Sequence, residues 1–437
     1  MTYDIHFFKN KRLYLTPYND LSLKLSEQLM LLDIEVLEFI DSYKDGKNIY
    51  KKEQMSSYDY LIVSSGAHWY SIASNFDKNK IMISNQDLSS FHLFSNYVDS
   101  LKEYSDKSYD ILFMPHNKAH TLDMIPIIKV LQKSTSFEIA FVDIQNRYHN
   151  EGAYAEILKS KIPFVPLDAL KLNFITLKLF VCMNDWEQSI AYPLVKELNK
   201  KSITTLGIVE GITDFTDVDY RRDRNAYQTV EQVLTTGTND LKYLKDKITS
   251  VMGIPKMIPL WNKQKKYFPK QTLVVINLSF LALSYDEYGS IWLKNVVEVC
   301  KELDLSYIIS KHPNDTIDTK NFNVTNKTIY EILDEGSLLI SRFSTTILES
   351  IALGTPAVYF KPQPEKTTLY DNNFGAFSIA HDKQELKEKI LYELEHKDNV
   401  RERANKFLDL QCNINETEKP EILAAEYIQK IINFNPS

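Results

Sequence analysis

Short runs dense in Ile, Val, Leu and Phe recur along the chain, and longer stretches with apolar residues at helical spacing separate them. The runs "YLIVSS" (60–65), "KIMIS" (80–84), "DILFMP" (110–115), "FEIAFVD" (137–143), "LKLFVCMND" (177–185) and "ITTLGIVEG" (203–211) are largely apolar rather than alternating. Strands covered on both faces have that composition. Between them, "TLDMIPIIKVLQKS" (121–134) and "WEQSIAYPLVKELNKK" (186–201) read as amphipathic helices. Strand and helix in alternation predict an α/β fold with parallel sheets.

The segment "GIPKMIPLWNKQKKYFPKQ" (253–271) breaks the pattern with three prolines and a cluster of lysines, and reads as an interdomain connection. A second series follows: "TLVVINLSF" (272–280), "SIWLKNVVEVCKELD" (290–304), "SYIIS" (306–310), "SLLIS" (337–341) and "TPAVYF" (355–360). Two helical stretches, 384–397 and 419–434, close the chain. The expected division is an N-terminal Rossmann-like acceptor domain over 1–254, a linker over 255–271 and a C-terminal donor domain over 272–415. A last helix over 416–437 is free to cross back to the first domain. A length of 437 residues suits two such domains. Doubly wound halves carry ligands at the carboxyl ends of their strands, so the chemistry is sought in the loops there.

Composition narrows the function classes. A net charge of −7 argues against broad nucleic-acid binding. The three cysteines, Cys182, Cys300 and Cys412, have neither CxxC nor metal-ligand spacing. Structural zinc and a disulfide framework are not expected, and a reducing compartment fits. The opening residues show no long apolar h-region, and no window approaches 18 uninterrupted apolar residues. A cytoplasmic location is expected, with peripheral contact at the inner membrane left open.

Three constellations carry candidate chemistry. In "SYIISKHPND" (306–315) a strand ends on Lys311 and His312, and Pro313 holds the exit extended. A cation and an imidazole at a strand end suit an anionic ligand, above all phosphate; a packed histidine beside a solvated lysine is the plain alternative. In "SLLISRFSTTILESIALGTPAVYF" (337–360), Arg342, Ser344, Thr345 and Thr346 crowd the start of a helix, where hydroxyls and free N–H groups cradle phosphate. Gly354 suits the helix end. Thr346 to Glu349 also matches a capping box, which would explain both residues without a ligand. In "LGIVEGITDFTDVDYRRDRNAY" (206–227), Glu210 at a strand end and the nearby Asp214 are candidate general bases; a carboxylate in a polar turn is the alternative. Weaker candidates are His68 and Trp69 after one strand, His116 after another, and Asp185 beside Asn184 at a third, all on the acceptor side. Ser279 ends the first strand after the linker, where the donor pyrophosphate would approach.

No GxGxxG follows a strand, and no GxxxxGK[ST], HExxH or GxSxG occurs. Asp217-Val218-Asp219 matches a DxD metal motif in letters but sits among turn residues. No metal and no resident cofactor are expected.

"SKHP", followed some thirty residues later by "SRFSTTILESIALGTPAVYF", resembles the donor-binding domain of GT-B glycosyltransferases of bacterial surface and capsular polysaccharide synthesis. The likeness is to capsular Kdo transferases, sialyltransferase-like enzymes and teichoic-acid glycerophosphotransferases, and is specific over about 270–362. It implies two Rossmann-like domains facing across a cleft. By resemblance, His312, Ser344 and Thr345 contact the donor phosphate and Glu349 holds the nucleotide ribose. Related enzymes often show two acids before the glycine of the base motif; here Val209 and Glu210 precede Gly211, so the base stays open between Glu210 and Asp214. The resemblance implies transfer from a nucleotide-sugar donor, with a lean to a CMP-activated sugar acid, onto a glycan or lipid-linked glycan acceptor, with inversion. An epimerase of the same fold, a CDP-alcohol phosphotransferase and a non-catalytic glycan-binding protein are the rival readings.

Overall fold

The computed structural model describes residues 2–434 apart from 45, 47–48, 67, 146–147, 149–151, 188, 212–213, 218–221, 264, 266–267, 279–285, 313–314, 364–369 and 371. Two compact units meet in the sequence between Val181 and Cys182.

In the first unit a seven-stranded sheet has the order Thr2–Tyr3, Phe91–Leu93, Ile81–Ser84, Tyr60–Val63, Leu13–Thr16, Val36–Ile40, Ile49–Tyr50. The last five in that order are parallel, and the first two run antiparallel at the edge. Counted from Leu13–Thr16, the parallel strands read 3-2-1-4-5, the Rossmann order. Helix Asp20–Leu31 packs Leu25 and Leu29 against Leu13, Leu15, Ile62 and Met82. Leu13–Thr16 and Val36–Ile40 precede the point where the apolar runs begin. Tyr14 and Glu38 interrupt their apolar character, although Leu13–Thr16 is buried along its length. The unit continues with Lys107–Met114, Ile139–Asp143 and Phe164–Pro166, paired in parallel, and then Ile175–Cys182.

The second unit carries parallel strands Thr204–Ile208, Gln232–Thr235 and Ile248–Val251. It also carries a five-stranded, all-parallel sheet: Ser306–Lys311, Leu273–Leu278, Leu338–Ser341, Ala357–Phe360, Ser378–Ala380. Its order is 2-1-3-4-5, and the direction of winding reverses between Leu273–Leu278 and Leu338–Ser341. Helices Asp286–Glu302 and Lys383–Glu395 cover one face, packing Trp292, Val296, Leu386 and Ile390 on Val274, Ile276, Ile340 and Val358. The Trp292 indole N–H donates to the Phe360 carbonyl at 2.9 Å, fixing helix to sheet.

The proline- and lysine-rich segment lies inside this unit and contains helix Met257–Lys263. Lys265 donates to the carbonyls of Leu333, at 3.0 Å, and Gly336, and to the Thr355 hydroxyl at 3.1 Å. Burial pushes its ammonium down to about 8. The segment is therefore fastened to the edge of the five-stranded sheet.

Helix Val400–Cys412 packs on the loop that follows Gln232–Thr235, and Gly237 permits it. A Cβ at Gly237 would stand 2.1 Å from the Leu410 carbonyl oxygen. Nearby, Asp240 accepts from the Thr236 N–H and hydroxyl, both at 2.9 Å, while its other oxygen is buried without a partner. Burial raises its carboxyl from 3.8 to about 6. The closing helix Pro420–Phe434 reaches the same strand, where the Tyr427 hydroxyl donates to Gln232 Oε1 at 2.8 Å.

Two predictions follow from this corner. Gly237→Ala must displace backbone, and unfolding in urea should show a loss of about 1–3 kcal/mol. Asp240 holds its proton in the folded state from pH 3.8 up to about 6. Its contribution is complete below the lower value and lost as pH rises through the upper one. Between pH 4 and 7 the wild type should lose about 2–2.5 kcal/mol relative to Asp240→Asn, at ~1.4 kcal/mol per pH unit. Urea unfolding at both pH values measures the difference.

Candidate functional site

The five-stranded sheet brings three strand ends level. Leu278 lies beside Lys311 in register, and Asn277 beside Ser341. The Asn277 amide donates to the Ser341 hydroxyl at 3.0 Å across the point where the winding reverses, and both are buried. The His312 N–H donates to the Leu278 carbonyl at 3.1 Å. The loops after Lys311 and after Ser341 therefore flank the end of Leu273–Leu278 on one edge of the sheet. A doubly wound sheet binds ligands at this position. Ser279 and Pro313 lie outside the described residues.

Within the first loop the His312 side chain is exposed. The Lys311 ammonium donates to the Ile317 carbonyl at 2.5 Å, so its charge bends back onto its own loop. In the second loop Arg342 is fully buried, its guanidinium 4.6 Å from the centre of the Phe343 ring. Ser344 shapes the turn into helix Thr346–Leu353. Its carbonyl accepts from the Tyr370 hydroxyl at 2.5 Å, and its Oγ accepts from the Thr346 N–H at 3.2 Å. Thr345 occupies the cap position and makes no side-chain cap bond, and the helix stops at Gly354 with φ 94°. The Thr346–Glu349 capping box is not formed. Glu349, 5% exposed, instead pairs with Lys256 at 2.8 Å, with the Tyr330 hydroxyl 3.4 Å away. Its partner lies 93 positions earlier in the chain, so the local match in letters misled.

The acid loop after Thr204–Ile208 meets the hydroxyl loop directly. A Cβ built on Gly211 would stand 3.3 Å from Cγ2 of Thr345. The two carboxylates of this loop have different surroundings. Asp214 is 3% exposed; it accepts from the Glu210 N–H at 2.8 Å and the Tyr227 hydroxyl at 2.5 Å. Tyr227 is buried outright, also takes the Asn184 N–H at 3.3 Å, and its phenol is pushed well above 10.0 by burial and by Asp214 beside it. Glu210 is half-buried and accepts from the Asn184 side-chain amide at 2.5 Å.

Asp185 is no acceptor-side group. It is fully buried and accepts from the N–H groups of Tyr227, Thr229 (2.8 Å) and Val230 (2.8 Å). Those bonds fold the turn that presents Tyr227. Burial raises its carboxyl, and the backbone donors oppose that rise. Trp69 is corrected for a similar reason. It is 2% exposed, its indole donates to Asp168 at 2.8 Å, and Tyr97 donates to the other oxygen of Asp168 at 2.7 Å. A ring enclosed in this way cannot stack on a sugar. His68 is exposed at the start of helix Trp69–Ala73. His116 is half-buried, with its N–H on Nδ1 of the buried His120 at 3.3 Å. These three belong to the first unit and the other candidates to the second.

Sequence reasoning missed Asn277, Tyr227, Lys256 and Tyr370 as parts of the site. A lone amide inside the apolar run "VVINL" was a legible signal for Asn277. The rest act through partners distant in the chain. Among the described residues no group of three or more His, Cys, Asp or Glu could hold a metal ion, and no helix is long and apolar enough to cross a membrane.

The fold has counterparts among solved structures. A putative UDP-N-acetylglucosamine 2-epimerase from Listeria monocytogenes matches at TM-score 0.52 and 12% identity, over 74% of this chain and 95% of that one. The UDP-GlcNAc 2-epimerase of Methanocaldococcus jannaschii matches at 0.51 and 12%, over 75% and 100%. The spinosyn rhamnosyltransferase SpnG matches at 0.50 and 12%, over 74% and 100%. No protein-family model and no curated protein sequence matches the chain. The fold is α/β of the GT-B type.

The two carboxylates should separate on substitution. Asp214→Asn should cost about 2–3 kcal/mol of stability, because a buried charge-assisted network is broken. Glu210→Gln should cost less than about 1 kcal/mol. Urea unfolding of the two variants measures the gap.

Proposed function

We propose that this protein is a glycosyltransferase that moves a sugar from a nucleotide-activated donor to a glycan or lipid-linked glycan in bacterial surface-polysaccharide synthesis. One observation carries the reading: the His312 loop and the Ser344 loop flank a single strand end, and the acid loop comes so near Thr345 that a single added methyl at Gly211 would reach it. In this reading the donor phosphate lies over the end of Leu273–Leu278. N–H groups at the start of helix Thr346–Leu353 and the hydroxyls of Ser344, Thr345 and Thr346 bind its oxygens. The imidazole of His312 neutralises charge on the leaving phosphate, with no metal required. Lys311 and the buried Arg342 set the shape of the two loops. Glu349, steadied by Lys256, takes the ribose hydroxyls. Glu210 rather than Asp214 is the base, because Asp214 is held by Tyr227 and by the backbone. An acid on the acceptor side favours in-line displacement with inversion. The donor is a CMP-activated sugar acid, a choice that rests on the resemblance of the "SKHP" loop. His68 and His116 remain candidates for the acceptor side.

A nucleotide-sugar epimerase is the second reading, favoured by two of the three structures described above being UDP-GlcNAc 2-epimerases. Incubation of donor without acceptor separates the two, because only the epimerase returns an altered nucleotide-sugar.

A thermal-shift series with CMP, CDP, UDP and GDP tests nucleotide binding. One nucleotide at about one hundred times its Kd should stabilise the protein by about 2.7 kcal/mol. His312→Ala should melt as wild type when unliganded and lose most of that shift; Ser344→Ala, which also gives up its bond to the Thr346 N–H, should lose most of the shift measured from its own lower unliganded melting point. A flat response to all four nucleotides overturns both readings.

A further inference from the structure

Asn184 sits on the turn leaving strand Ile175–Cys182 with φ 57°, in the left-handed region that Asn tolerates better than most residues. Both its donors go to the acid loop and that loop's anchor. The side-chain amide reaches Glu210 Oε2 at 2.5 Å, and the backbone N–H reaches the Tyr227 hydroxyl at 3.3 Å. Among the described residues its amide oxygen is buried without a partner. An asparagine kept only to close a turn would be expected to place that oxygen on a donor, since an orphaned buried acceptor costs stability. The residue therefore gives up fold energy in exchange for one hydrogen bond to one carboxylate oxygen.

Resting on the reading of Glu210 as base, we propose that Asn184 is its positioning residue. The amide holds Oε2 and so fixes the orientation of the carboxylate that takes the acceptor proton. It also favours the ionised form by donating to it. Asp214, Tyr227 and Asp185 are among the groups near that carboxylate. Asp214 lies four residues on and repels it. Tyr227 is a neutral phenol between the two. Asp185 follows Asn184 but is turned onto the N–H groups of Tyr227, Thr229 and Val230. The Asn184 amide offsets the repulsion from Asp214.

Asn184→Asp keeps the size and the left-handed turn but replaces the donor with a second carboxylate. Protein labelled with ¹³C at glutamate carboxyls is titrated, and the Glu210 resonance is identified by its loss in Glu210→Gln. In Asn184→Asp the apparent pKa should rise by more than one unit, the pair then sharing a proton. In Asn184→Gly it should rise by less. The acid limb of the pH profile for nucleotide-sugar turnover should move with the titration. An unmoved Glu210 titration in both variants overturns the proposal even where Glu210→Gln is inactive. Full turnover by Glu210→Gln sinks the base assignment instead, and the titration still decides whether Asn184 orients the carboxylate.

Discussion

The parallel register at the end of Leu273–Leu278 is the constraint from which the site follows. Parallel strands send all their carboxyl ends to one edge, and a change in winding direction leaves neighbouring loops diverging there. The buried bond from Asn277 to Ser341 crosses that divergence. A slip of one residue would turn both side chains to the other face and separate the loops that carry His312 and Ser344. The geometry of the edge is thus set inside the sheet, by two buried polar side chains bonded to each other.

The acid loop is built on a different principle. Tyr227 serves as its anchor, with the hydroxyl directed at Asp214 and the N–H groups of Glu210 and Asn184 converging on the same oxygen. Asp185 in turn ties down the backbone that presents Tyr227. Asp214 is consumed in folding the loop, whereas Glu210 stays half-buried, so two carboxylates four positions apart meet different surroundings through burial and hydrogen bonding together.

The α/β class and most strand positions were legible because the strands are covered on both faces and so lack alternation. Gly354 was legible as a helix stop, and the cluster at Ser344 to Thr346 as a helix start. The failures share a cause. Trp69 finds Asp168 99 positions away, Glu349 finds Lys256, and Asp185 finds the turn at 227–230. Whether a polar or aromatic group is spent on the fold or offered to a ligand depends on partners that local pattern cannot supply. The strands Leu13–Thr16 and Val36–Ile40 escaped because a tyrosine and a glutamate dilute their apolar character.

The bare backbone of Gly211 lets the acid loop rest against the Thr345 methyl. A side chain at position 211 would press on that methyl closely enough to force it back by a few tenths of an ångström, so the spacing of the two loops is set by one absent methyl group.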